Sequence, residues 1–178
     1  MAIELVVERI VVWPDLGCRG APEVHGAPLP DEEPPPQRPP GRGTGPRIDH
    51  ARAAARARRL PHLLLGWIGA DGFPMTAPVA VAGTEERGIV LEAPAGVVPA
   101  GGRRAGLTAH WFSRYVIGQN QRKHTGWLVA EPGARQVVYA PHTEVGYRFP
   151  ASRTVFQLVS GGATRWGLRG ARRAGFVP

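Results

Sequence analysis

Residues 101–112 read GGRRAGLTAHWF. A glycine pair precedes two arginines, and an apolar run follows at once. Two readings fit Arg103 and Arg104. They are a strand end washed by solvent, or a pair of guanidinium forks raised on a glycine loop. A phosphate monoester carries nearly two negative charges and several acceptor oxygens. Two such forks, with glycine N–H groups close by, would match it.

Working outward, composition favours an anionic partner. The 178 residues carry a net charge of +8, unevenly distributed. Residues 1–46 hold four basic and seven acidic side chains; residues 47–178 hold eighteen and seven. The positive field therefore belongs to the later portion, which suits phosphates, acidic cofactors, nucleic acid or a membrane surface. Lys123 is the sole lysine among 22 basic residues, a usage that GC-rich coding bias explains better than selection for phosphate binding. Cys18 is alone, so no internal disulfide and no paired-cysteine metal motif is available. No apolar run approaches the roughly 18 residues of a membrane span. The opening MAIELVVERIVVW lacks the basic leader of a signal peptide. The expectation is a cytoplasmic protein with no membrane partner.

Residues 3–13, IELVVERIVVW, predict a strand that needs a partner from elsewhere in the fold or from another chain. So abrupt an opening also fits a chain lacking an upstream half. Proline and glycine crowd the residues up to 46, and PPPQRPP reads as an extended arm, partly polyproline II. RIDHARAAARARRL, 47–60, predicts a basic helix capped by Asp49 and stopped by Pro61. HLLLGWIG, FPMTAPVAVAG and IVLEA then predict three strands in a meander, with a turn at ADG and another at GTEERG. PAGVVPAGGRR reads as a loop, with AGLTAHWF as strand or helix after it. HTGWLVAE and RQVVYAP form a further hairpin, YAPHTEVGY reads as a loop, and a basic helix or tail closes the chain from residue 161. The expected fold is mostly β: a small split β-barrel over 61–160, behind an N-terminal strand and Pro-rich arm over 1–46, with short helices at 47–60 and near the C-terminus.

The order of these pieces is informative. The hairpin LGWIGADGFPMTAPVAV is followed by the strand GIVLEA, the loop leading to GGRRAGLTAHWF, and the strand HTGWLVAE. This resembles the pyridoxamine 5'-phosphate oxidase-like superfamily of FMN-binding split β-barrels, in an uncharacterised actinobacterial branch. The resemblance covers roughly residues 61–160. It implies an FMN or deazaflavin cofactor, a homodimer whose subunits share the site, and an oxidoreductase activity. It assigns ring contacts to Thr76, Ala77, Pro78 and Val79, and the flavin phosphate to Arg103 and Arg104. Where the family more often has Ser-x-Lys or Arg-x-x-x-Leu-Lys, this chain has Arg-Arg after a longer loop.

His110, Arg122 and His124 are further candidates to border such a site. The spacing of His110, His124 and His142 matches no metal-ligand pattern, so no metal is expected. No serine lies in a nucleophile-elbow context, and no residue qualifies as catalytic. Trp67 and Trp127 read as core; Trp111 either packs or flanks a planar ring. Two alternatives stay open. One is a split barrel that stores or senses a flavin, binds haem, or has no ligand. The other is a basic nucleic-acid-binding barrel using 47–60 and 165–173; its basic residues lie mostly at loops and termini, which speaks against it.

Overall fold

The computed structural model describes residue 4 and residues 6–15, 21–113 and 118–175. Cys18, and Ile3 and Leu5 of the first expected strand, lie outside the described residues. The architecture is mostly β. Strands β1 (Arg9–Val12) and β2 (Glu23–Gly26) form a small antiparallel sheet of their own. Helix α1 (His50–Ala57) follows, then β3 (His62–Ile68), β4 (Pro74–Pro78), β5 (Ala80–Glu85), β6 (Gly88–Glu92), β7 (Gly101–Trp111), β8 (Asn120–Ala130), β9 (Gln136–Arg148) and α2 (Arg153–Arg173). The last seven strands make one antiparallel sheet, ordered β4-β3-β7-β8-β9-β6-β5, curled into a half-barrel.

Alternation builds the core. Side chains point to opposite faces of a strand at every second residue. Along β7, Arg103, Ala105, Leu107 and Ala109 are buried, while Arg104, Gly106, Thr108 and His110 lie on the other face. Leu65, Ile89, Leu91, Leu128 and Val137 fill the same interior, each burial contributing about 1.5–3 kcal/mol. Tyr139 is fully buried among them and donates its hydroxyl to the Ala105 carbonyl at 3.4 Å. Helix α1 lays Ala53, Ala54 and Ala57 into this core against β5, β6 and β9. Asp49 caps it, accepting from the Arg52 N–H at 2.9 Å.

The β3–β4 hairpin forms at the expected turn. Gly72 adopts φ +81°, and the Asp71 carboxylate accepts the Phe73 N–H. The three-strand meander does not form. FPMTAPVAVAG is two strands, because Val79 ends the pairing with β3 through its bond to the Leu63 carbonyl, and Ala80 then joins β6. The hairpins β3–β4 and β5–β6 therefore stand at opposite edges of the curled sheet.

Three other expectations need correction. YAPHTEVGY is not a loop but the continuation of β9, which runs to Arg148 with a register shift opposite Thr125 and Gly126. Pro141 is accommodated at that bulge. Helix α2 begins at Arg153 rather than 161 and is 21 residues long. Residues 101–104 are strand rather than loop.

That stretch is strand because it pairs with β8, from Gly101↔Ala130 to Arg104↔Trp127, and the Pro-rich arm covers its other edge. Strand β3 pairs with β7 only from His62↔His110 to Gly66↔Gly106. Beyond it, the arm takes the vacated edge of β7. The Gln37 N–H donates to the Gly102 carbonyl at 2.8 Å, and the Gln37 side-chain oxygen accepts the Arg104 N–H at 3.0 Å. Glu33 accepts the Ala100 N–H at 2.9 Å. Gly101, at φ +85°, lies so close beneath Pro36 that an added Cβ would come within 2.6 Å of its ring. A proline-rich segment cannot form a full ladder, and here it contributes one backbone bond and one side chain.

Candidate functional site

The outer face of β3, β7 and β8 carries an open groove of about 870 Å³, within the range of small-molecule sites. Its floor is nearly bare backbone. Gly66 and Gly106 are directly paired across β3 and β7. A Cβ on Gly66 would have nothing nearer than 3.5 Å, and one on Gly106 nothing nearer than 3.7 Å. Each could carry a side chain without a clash; the groove would lose the space instead. Leu64, Ile68 and Met75 give the floor apolar flanks, and Thr76, Thr108 and Thr125 supply hydroxyls. Thr125 is fixed by a 2.6 Å hydroxyl pair with Thr143.

Polar groups mark the two ends. Arg104 is exposed and lines the groove on β7. Arg47 joins it from the arm, held by a bond from its N–H to the Pro141 carbonyl and from its side chain to the Gly43 carbonyl. Six residues along β7, about 20 Å at strand rise, stands His110. Its ring lies 5.5 Å from that of His62 and stacks on Phe112 at 5.8 Å. Its Nδ1 is buried without a partner, and burial, reinforced by His62, lowers its pKa. His142, the residue beside the β9 bulge, also lines the groove. Burial and then Arg47 lower its pKa, opposed by the backbone of Thr44 and Gly45.

Of the residues expected at a site, the groove thus gathers Arg104, Thr76 and His110. Arg103 does not join them. It is 1% exposed, on the inner face, and donates through Nη2 to the carbonyls of Pro34 at 3.1 Å and Ala100 at 2.5 Å. Its Nε and Nη1 find no hydrogen-bond partner. Burial lowers its pKa, opposed by Glu33. The two arginines cannot act as one fork, because neighbouring residues of a strand face opposite ways. Ala77 and Val79 likewise turn into the core, and Pro78 is buried.

Arg122 and His124 belong to a separate cluster beneath α1. Glu144 accepts from Arg56 of α1 at 2.8 Å and from Arg122 at 3.2 Å. His124 is 2% exposed with both ring nitrogens unpartnered. Burial lowers its pKa most, opposed by Glu144 and the Thr143 backbone and aided by Arg122 and Arg56. Neither Arg122 nor His124 lines the groove. Trp127 and Trp67 are buried as expected, Trp127 with its indole pressed on Gly102. Trp111 is partly exposed near Gly118 and Ala151.

Gly66, Gly106 and Arg47 were not legible as site residues, whereas His142 belongs to the stretch 139–147 expected over the pocket. The signal lies in register, since two glycines 40 positions apart form a shelf only when β3 and β7 pair as they do. Among the described residues no three His, Cys, Asp or Glu side chains gather as a metal site. No protein-family model, curated protein or solved structure matches this chain.

Proposed function

We propose that the groove holds a planar, phosphorylated flavin-type cofactor, FMN or the deazaflavin, in an oxidoreductase. The observation that carries this reading is the paired Gly66 and Gly106, a flat strip of backbone with apolar flanks on which a fused ring can lie. Arg104 and Arg47 supply cations for a phosphate at one end. Thr76, Thr108 and Thr125 offer hydrogen bonds to ring edges. A bound flavin would supply hydride or electron transfer. The chain's own contribution is to orient the ring, exclude water from one of its faces, and present His110, neutral and with Nδ1 unpartnered, toward a substrate. A second copy of the chain across the open side would cover the other face. The exposed Ile68 at the groove supports that arrangement.

The test is reconstitution of the purified protein with FMN or deazaflavin, followed by absorbance and fluorescence titration. Saturable binding that Gly106→Val abolishes supports the reading, provided the variant stays folded. A folded wild-type protein that ignores both compounds overturns it.

A further inference from the structure

We propose that α2 docks the protein on an anionic lipid surface, lying along the bilayer interface rather than crossing it. None of its side chains is buried, although it is 21 residues and about 31 Å long. Four glycines, Gly161, Gly162, Gly167 and Gly170, weaken it as a helix, and an added Cβ at any of them would meet nothing within 4 Å. Among the described residues only its foot packs, through Phe156, which leaves the rest of its surface open to a partner.

Its chemistry selects that surface. Val155, Val159, Ala163 and Trp166 recur at i, i+4, i+8 and i+11, which places them on one side. Leu158 is 72% and Trp166 79% exposed. Arg153, Arg165, Arg169, Arg172 and Arg173 accompany them, and the helix has no acidic residue. Arg165, Arg169 and Arg172 run along one flank of that side and Arg173 closes it in the last turn, so apolar side chains, a tryptophan and cations share the surface that would meet anionic headgroups. A second copy of α2 would set arginine against arginine. Nucleic acid would neutralise the arginines but leave Leu158 and Trp166 in water.

The foot of the helix continues the pattern. Phe156 meets Phe149 edge-on at 5.8 Å, and Phe149 meets Tyr147 at 5.3 Å. Trp111 and Phe112 are exposed at the end of β7. Aromatic rings of this kind concentrate at headgroup depth. The expectation of no membrane partner rests on the lack of a long apolar run, and no described helix is long and apolar enough to cross. An interfacial helix needs no such run.

The experiment is co-sedimentation of the full chain with vesicles of phosphatidylglycerol and phosphatidylcholine in equal parts, against phosphatidylcholine alone. The protein should pellet with the anionic vesicles only, and its tryptophan emission should shift to the blue, less so in Trp166→Phe. Replacing Arg165, Arg169 and Arg173 together by Gln should weaken binding on the order of 100-fold. Leu158→Asp should abolish it. These side chains are exposed, so each variant should unfold thermally like the wild type. Failure to bind anionic vesicles overturns the proposal. So does binding indifferent to these variants, a dimer that Leu158→Asp dissolves in the absence of lipid, or tight binding to duplex RNA that Leu158→Asp leaves unchanged.

Discussion

The Arg103 guanidinium reaches from the inner face of β7 to the backbone carbonyl of Pro34, 3.1 Å away. It thereby pins the Pro-rich arm to the half-barrel from within. Arg103→Ala should destabilise the protein by about 2–4 kcal/mol, through the lost bond and the space left behind. Arg103→Met, which fills that space without a charge to desolvate, should recover most of the loss. Chemical denaturation of the two variants checks this. Arg104→Ala, at an exposed position, should change stability by no more than about 0.5 kcal/mol while weakening any phosphate-bearing ligand.

The glycines separate into two classes. Gly106→Ala meets only ordinary contacts and should leave stability unchanged or raise it by about 0.4–1 kcal/mol. Its methyl group would nevertheless occupy the groove, so affinity for a planar ligand should drop. Gly102→Ala drives a carbon to within 2.8 Å of the Trp127 ring. Gly126→Ala collides with the Ala140 carbonyl. Both should destabilise by about 1–3 kcal/mol. Thermal unfolding of all three, with ligand titration of the first, tells groove from scaffold.

Acid should weaken the fold through its histidines. His124, His110 and His142 have folded pKa values lowered chiefly by burial. Between the unfolded value of about 6.5 and the lower folded value, the unfolded chain binds protons that the folded chain refuses. The contribution to stability is therefore intact above pH about 6.5 and lost as pH falls through the folded values. Melting temperature should decline from pH about 7 to about 5, and His124→Leu should flatten part of that decline. Glu144, Arg56 and Arg122 surround His124.

Glu144 ties α1 to β8 by accepting from both Arg56 and Arg122. Glu144→Ala would leave two guanidinium groups facing each other without their shared counterion. A loss of about 1–3 kcal/mol is expected, with amide exchange accelerated first in α1. Equal acceleration throughout the sheet would show instead that α1 and the barrel open together.

The sequence carries the DG turn plainly, because Gly72 needs a positive φ that few other residues tolerate. It does not carry the alternation that buries Leu63, Leu65 and Trp67, because Leu64 and Ile68 on the other face are apolar too. Gly101 and Gly102 mislead, since glycine weakens strand propensity and it is pairing with Ala130 and Val129 of β8 that makes them strand. Once 101–104 is taken as loop, the opposite facing of Arg103 and Arg104 is hidden. The shelf depends on which residue of β3 meets which residue of β7. That choice is made by burial on the other face of the sheet. Helix α2 is hard to delimit because four glycines interrupt its pattern.

One residue, Val79, joins the two outermost strands of the seven-stranded sheet, β4 and β5. The margins of the sheet are thus tethered side by side, and the Trp13 indole covers the Thr76 carbonyl on one of them. Exposed margins are where foreign strands add and fibrils begin. A single tether therefore gives this barrel a built-in guard against aggregation.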